Sequence, residues 1–540
     1  MVDVRMLQAG AVHGFDDDKG KLVLRRLNLR RGLDNTPQGE ESPPNEFPVN
    51  ELVWTDSFVT VNPRAIIRHN TIRIFLEGEE VISPYNRNGK GDCFFIRVDE
   101  DGETFQQLPA RGDFRQGFLA GHGAGAHHRA DGERASLKGL DLFCGGGNFG
   151  RGLEEGGAVE MKWAVDIESA PLHSYRANLR DPADANMYLG SINNYLKHAI
   201  TGQYSDVIAS PDEVDFISAG SPCQGFSLAN GNRDSERSLQ NCSLVSSLAT
   251  AIDIYRPKYA LLENVHQLAQ TRKRHNKPDY NVFSTLLCCI VGMGYQCQQF
   301  ILDSWSYGDP QSRTRLFLAV SAPGLNPLRR PPRTHEHNPT VRNLSLYKAP
   351  NGEGFADRDF SDSSPFRPIS SFQAMCHLPN IFDDHVGLCT RYPDHQTSRD
   401  EAAKTRRLLH YIPRFPYEQG WTNGVRRGML TENLRVYEFS GERASKQSKS
   451  WKRIRRNGLC RTITTTITAQ CNRTGQYVHY DQPRLITVQE ARIAQGFPDD
   501  EVLVGDKGKR FKIVGNSVAR GVSMAMGLAL RRAHFEEWED

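Results

Sequence analysis

Cys223 stands in the middle of Ser221-Pro222-Cys223-Gln224-Gly225-Phe226-Ser227. The apolar run 214–219 before it reads as a strand, and a Ser/Pro/Gly turn after a strand is where a scaffold presents a side chain at a cleft. A thiol held there is a candidate nucleophile. A free thiol of pKa ~8.5 is only a few per cent ionised at neutral pH, so such a site must favour the thiolate through cationic or helix-terminal surroundings. Cysteine is also a common small core residue, and the assignment rests on what other chemistry the chain brings to the same place.

Three further groups qualify. Residues 137–143 are a short apolar run, followed by Cys144-Gly145-Gly146-Gly147-Asn148-Phe149-Gly150 and a helix-like pattern. Strand, glycine turn and helix start together let backbone approach a nucleotide-like ligand. Asp166 ends the next strand-like run, 21 residues after Gly145, where a ribose hydroxyl pair finds its acceptor. The loop is not a strict G-x-G-x-x-G, which disfavours a dinucleotide and leaves a plain tight turn as the alternative. Glu263 closes the apolar run 259–262, as a surface carboxylate at a strand end also would. Arg313 and Arg315, in Gln311-Ser312-Arg313-Thr314-Arg315, stand two apart, on one face of a strand or along its solvated edge.

In chain order, the segments 141–150, 222–224, 263–265, 311–315, Gln495-Gly496-Phe497-Pro498 and Gly515-Asn516-Ser517-Val518 resemble the motifs of the cytosine-5 DNA methyltransferase family, over about residues 137 to 530. The resemblance implies an α/β fold with a Rossmann-like, mostly parallel sheet, S-adenosyl-L-methionine as cofactor and double-stranded DNA as partner. Carbon 5 of cytosine is a poor nucleophile. By the resemblance Cys223 adds to carbon 6, Glu263 contacts N3 and the amino edge as general acid, Arg315 contacts the O2 side and orients Glu263, Arg313 supports them, and Asn264 holds the turn. Phe143, Gly145, Gly147, Asp166, Ile167, Ser191, Pro222 and Asn516 match the cofactor positions. Two departures are Gly147-Asn148, where the family often has Gly-Gly, and Ser191, where an acid near the adenine amino group is usual. Carbon 6 is shielded in a duplex, so the base must be turned out. The polar stretch 225–241 is expected to be the loop that closes over it, with Gln224, Ser227 and Arg237 as DNA contacts. Lys452, Arg453, Arg455 and Arg456 form a basic cluster in the region where the family reads DNA.

These motifs divide the 540 residues into a β-rich module at 1–111, a flexible linker at 112–135, the first part of the catalytic domain at 136–321, an irregular target-recognition region at 322–483 and a return segment at 484–540. A helix is expected over 487–495 and another after Asn516. The first module resembles a partial bromo-adjacent homology module, short for a complete one, which implies a missing start. The wording of the glycine loop is most similar to fungal genome-defence methyltransferases. That likeness implies a nuclear location, chromatin silencing and a heterochromatin adaptor or histone partner. A tRNA cytosine-5 methyltransferase and a catalytically inactive regulatory scaffold are the alternatives. Lys plus Arg number 67 and Asp plus Glu 64, a net charge of +3, so any nucleic-acid surface must be local. The 11 cysteines form no C-x-x-C pair, so neither a metal site nor a disulfide framework is indicated. Cys288-Cys289, in an apolar run, is expected in the core, and no signal peptide or apolar segment of ~20 residues suggests a membrane.

Overall fold

The computed structural model describes residues 9–16, 21–30, 50–61, 71–81 and 93–106, then 135–337 except 224, 227–234, 275 and 276. Beyond these it describes 344–348, 354–356, 358, 364, 366–381, 392–396, 408–415, 418–421, 428, 450–471 and 475–535. Two compact units result, Met1–Asp131 with Pro498–Asp500, and Gly132–Phe497 with Glu501–Asp540. All but the last residue of the expected linker 112–135 lie outside the described residues.

In the first unit, a five-stranded sheet is formed by β1 (Ala9–Asp16), β2 (Lys21–Leu29), β3 (Glu51–Val61), β4 (Thr71–Ile74) and β5 (Cys93–Asp99), ordered β1-β2-β3-β5-β4. Leu27, Leu52, Trp54 and Ile96 form its core. Glu51 is buried between two cations, at 2.7 Å from Arg30 and 2.9 Å from Arg97.

The second unit is built on seven strands. β6 (Leu137–Leu142), β7 (Val159–Asp166), β8 (Asn186–Leu189), β9 (Phe216–Ala219) and β10 (Tyr259–Asn264) are parallel. β9 and β10 are buried at every residue, as strands covered by helices on both faces must be. A short hairpin of β11 (Arg272–Arg274) and β12 (Lys277–Tyr280) follows. The sheet is completed by β13 (Gln296–Asp303) and β15 (Thr314–Ser321), with β15 antiparallel to both neighbours, and the two-residue β14 (Gln311–Ser312) lies between them in sequence. The order is β13-β15-β10-β9-β6-β7-β8. The chain runs outward from β6 to β8, then returns to lay β9 on the other side of β6. That reversal opens a crevice at the carboxyl ends of β6 and β9, where open α/β sheets bind ligands. The glycine loop and the Cys223 turn leave from those two ends.

Helices α1 (Asn148–Glu155), α2 (Ser169–Ala177), α3 (Ile192–Ile200), α4 (Glu236–Ser243), α5 (Ser247–Tyr255) and α6 (Val282–Gly292) connect the strands. The expected helix over 487–495 is Val488–Ala494, capped by Thr487 and Glu490 in a reciprocal capping box. Arg520–Phe535 follows the short helix Lys507–Asn516 and packs on α1.

Three expectations are corrected. The polar stretch 225–241 is not loop throughout: Ser235 accepts from the Ser238 N–H at 3.3 Å and starts α4. Cys288 and Cys289 are exposed, because α6 turns Phe283, Leu286 and Ile290 inward and the two thiols fall off that stripe. The stretch 507–535 is apolar and long enough to cross a membrane by length and composition. Val514, Val522, Met526, Leu530 and Ala533 are nonetheless buried in the unit's core, which accounts for its apolar character.

Candidate active site

The glycine loop turns on left-handed backbone. Gly145 and Gly147 have φ of 56° and 85°, and a Cβ on Gly147 would stand 2.8 Å from the Tyr175 ring. Phe143 also adopts φ 57°, a conformation costing a non-glycine residue about 1–2 kcal/mol. Asp166, at the end of β7, holds this loop: its Oδ2 accepts from the Gly145 N–H at 2.9 Å, and its Oδ1 from the Glu168 N–H at 2.8 Å. Burial pushes its carboxyl above the usual range, opposed by those two N–H groups. Ile167 is 70% exposed and lines the cavity the loop borders, as does Ser191, which caps α3 by accepting from the Asn193 N–H at 3.3 Å.

The thiol turn is held from β10. Asn264 donates to the Ser221 carbonyl at 3.2 Å and to its hydroxyl at 2.9 Å, while its own oxygen accepts from the Val265 N–H at 2.8 Å. Glu263, one residue earlier and 6% exposed, points into the same space and pairs with Arg315 Nε at 2.9 Å. Arg313 is buried and donates to the Gly515 carbonyl at 3.2 Å, its Nε having no hydrogen-bond partner among the described residues. Burial, then the neighbouring Arg315, lower its guanidinium to about 9. Burial raises the Cys223 thiol, Arg315 and Arg313 pull it down and Glu263 pushes it up, leaving it above the ordinary value.

One cavity of about 1110 Å³ is lined by Cys223, Glu263, Arg313 and Arg315 at one part and by Phe143, Gly145, Asp166, Ile167 and Ser191 at another, with Pro222 and Asn516 on its wall. Gly147, although in the loop, is not on that wall. The return segment closes it. Asn148, the residue at which the loop departs from the family, donates to the Val518 carbonyl at 2.7 Å and accepts from Arg520 Nε at 2.8 Å. Arg520 also reaches Glu155 at 2.6 Å, and Arg151 pairs with Glu501 at 2.6 Å. Burial would raise Glu501, but Arg151 and Arg520 outweigh it and hold the carboxyl below its usual range. Gly515 lets this segment meet residues 464–465: a Cβ there would lie 2.4 Å from the Thr464 carbonyl carbon.

The expected DNA contacts divide. Gln224 and Ser227 lie outside the described residues, as does the side chain of Arg237 in α4. Arg453 is no surface cation. It is 1% exposed, and its guanidinium donates to the carbonyls of Ile412, Pro413, His479 and Gln482 at 2.6–3.0 Å. Those backbone acceptors, brought together only by the fold, consume the donors a phosphate would need. Lys452, Arg455 and Arg456 are half-buried. Arg455 pairs with Glu418 at 3.3 Å, Arg456 with Asp481 at 3.4 Å, and Arg456 also stacks on Phe372.

Cavity residues that the sequence did not single out include His266, Arg461, Tyr477, Lys509 and Lys512. Burial first, then Arg315 and Arg358, lower His266 to about 4, so the ring is neutral at pH 7. Its position three residues after Glu263 was the signal available for it. Arg461 stands 146 residues beyond Arg315 and 238 beyond Cys223 in the sequence, and nothing local marks it as a site residue.

The family model for C-5 cytosine-specific DNA methylases matches residues 137–532. DNA (cytosine-5)-methyltransferase 2 of Arabidopsis thaliana is 26% identical over 442 residues, covering 73% of this chain and 28% of that protein. DNA (cytosine-5)-methyltransferase 1 of Rattus norvegicus is 25% identical over 566 residues, covering 89% of this chain and 34% of that one. The chain thus corresponds to about a third of the length of these relatives. Among solved structures, a protein described as a DNA modification methyltransferase encoded within an E. coli prophage gives a TM-score of 0.45 at 22% identity, over 74% of this chain and 99% of that one.

Proposed function

Because the chain belongs to the C-5 cytosine-specific DNA methylase family, we propose that it transfers a methyl group to carbon 5 of cytosine in double-stranded DNA. In this reading 136–321 and 484–540 form the catalytic domain and 322–483 reads the target. The observation that carries it is that Cys223, Glu263, Arg313 and Arg315 open into the same cavity as the glycine loop and Asp166.

Enzymes of this family take the methyl group from S-adenosyl-L-methionine, which supplies an electrophilic methyl on a sulfonium. The residues present fit that group. Each Asp166 oxygen accepts one N–H and keeps a lone pair for a ribose hydroxyl, and exposed Ile167 offers an apolar surface for a purine. Gly145, Phe143, Pro222 and Asn516 complete the wall, and the Ser191 hydroxyl stands where an acid is usual.

Cys223 then attacks carbon 6 of a cytosine turned out of the duplex, which gives carbon 5 the electron density to take the methyl group. Arg315 and Arg313 favour the thiolate. Glu263 faces N3 and the amino edge, and as a general acid it relieves the charge that addition places on the ring. Arg315 keeps that carboxylate aimed. Asn264 fixes the height of the thiol, and removal of the carbon 5 proton afterwards releases the enzyme.

The N-terminal sheet and the glycine-loop wording support a finer reading, a chromatin-directed enzyme with a bromo-adjacent homology-like module, a nuclear location and a heterochromatin adaptor or histone partner. The test of activity is methyl transfer from labelled cofactor to duplex DNA, hemimethylated DNA and tRNA in parallel, with Cys223→Ala as control. Label in DNA that depends on Cys223 is expected. Label in tRNA alone, or in nothing, overturns the proposal.

A further inference from the structure

Arg461 is carried into the cavity by the recognition region, yet its backbone belongs to the arginine motif. Cys460 and Arg461 pair in parallel with Gln311 and Ser312. The Cys460 N–H donates to the Pro310 carbonyl at 2.9 Å, and the Ile463 N–H to Gln311 Oε1 at 3.0 Å. Thr462 donates its hydroxyl to the Ser312 carbonyl, and Tyr477 donates to the Thr462 carbonyl at 2.9 Å. The backbone that presents the guanidinium is therefore fixed on both sides.

Its charge is not matched. Among the described residues no carboxylate lies within ion-pair distance of Arg461, and its guanidinium makes no hydrogen bond, whereas nearby Arg455, Arg456 and Arg484 each have an acid. The half-buried side chain lines the cavity with Cys223, Ser312 and Arg313. A partly desolvated, uncompensated cation is costly to keep, and a preorganised guanidinium without a partner is suited to the paired oxygens of a phosphate or carboxylate from outside.

We propose that Arg461 binds the phosphodiester of the nucleotide whose base enters the cavity. It acts as a positioning residue for the extruded cytosine. The assignment rests on the DNA-directed reading above, because the anion must reach the cavity together with a base. The cofactor carboxylate is the other anion that could approach, and it is separated by experiment.

Arg461→Met, Arg461→Lys and the wild type are compared on duplex DNA containing 5-fluorocytosine, on a duplex of A·T pairs only, and for cofactor affinity by calorimetry. With Arg461→Met, covalent trapping on the fluorinated duplex is expected to slow about 10- to 100-fold, the loss of a hydrogen bond between charged groups. Arg461→Lys recovers part of the rate, while affinity for the A·T duplex and for cofactor stays within twofold. The unchanged cofactor affinity also reports a folded cavity, and if Arg461→Met does not fold, the partial loss in Arg461→Lys carries the test. Unchanged trapping, or equal losses on both duplexes, overturns the proposal, and a loss confined to cofactor affinity assigns Arg461 to the carboxylate instead. If the wild type does not act on DNA at all, the reading of function fails first, and visibly so, before any variant is compared.

Discussion

Glu263→Gln separates the two duties that the cavity gives this carboxylate. The amide keeps the volume and one oxygen facing Arg315 but removes the charge. Arg315 and Glu263 have side chains only 14% and 7% exposed and stand 2.9 Å apart. Removing one partner of such a buried pair costs about 3–5 kcal/mol when nothing replaces it. The retained amide oxygen reduces this to about 1–3 kcal/mol, a shift visible in thermal unfolding of a protein that still folds. The electrostatic effect on Cys223 has the opposite sense. Glu263 pushes the thiol up, whereas Arg315 and Arg313 pull it down, so without the carboxylate both arginines act unopposed. Alkylation of Cys223 by iodoacetamide at pH 7, in the absence of DNA, is therefore expected to speed up. Methyl transfer is expected to slow by about 10²- to 10⁴-fold in a single turnover, since the amide cannot supply a proton to N3. DNA and cofactor affinities stay near wild type. A more reactive thiol in a slower enzyme is the signature of a general acid. Normal transfer rates refute the assignment, and a fall in both alkylation and transfer shows a collapsed pocket in which Glu263 is only structural.

Asp166→Ala removes the acceptor of two backbone N–H groups and should weaken S-adenosyl-L-methionine binding by about 1.5–3 kcal/mol, read by calorimetry; unchanged affinity removes Asp166 from the site. Arg453→Met should destabilise the protein by about 4 kcal/mol in denaturant melts, since four carbonyls lose their donors. It should leave the salt dependence of DNA binding alone, whereas neutralising Lys452, Arg455 and Arg456 should flatten it by about one unit per lost phosphate contact. Burial raises Asp309 to about 8, against the pull of the Gly521 and Val522 N–H groups. A carboxyl raised in the folded state stabilises fully below its unfolded value and less as pH climbs through 8. Asp309→Asn should therefore gain melting temperature relative to wild type as pH goes from 5 to 8, and a constant difference would show that Asp309 is charged when folded.

The chemistry was legible because each motif is local. A strand followed by Gly145 to Gly147, or by Pro222 and Cys223, encodes both the side chain and the backbone that presents it, and β7 and β9 end where those runs end while β6 stops one residue before and β10 runs two residues beyond. Asn264 was expected to hold the thiol turn, and its two bonds to Ser221 lie where that expectation placed them. Arg453 was misread for the opposite reason. A run of basic residues looks like a surface, and the carbonyls that bury this one come from residues 26 to 41 positions away. The same holds for Asn148, which read as a departure from a pattern and is instead a bond to the return segment, 370 residues on. Cys288 and Cys289 show a smaller version of the problem, since an apolar run does not say which of its residues lie on the helical stripe until its partners are known.

Gln311 shows how such long-range demands enter a short motif. It brings no acid, base or nucleophile, and it is fully buried two residues before Arg313. Its oxygen accepts from the Ile463 N–H at 3.0 Å, and its amide nitrogen donates to the Ala494 carbonyl at 3.0 Å and to the Gln495 side chain. Glutamate would keep the first bond and, ionised, lose the donors; leucine would lose all of them and leave buried backbone groups unpaired. Only an amide serves both directions at once. The segment that carries Arg461 and the helix that ends at Ala494 are thus tied to the motif in which Arg313 stands between β14 and β15 and Arg315 lies on β15. Backbone 152 and 183 residues further along the chain is joined to the arginine motif through one buried side chain, a demand that no local signal in the sequence announces.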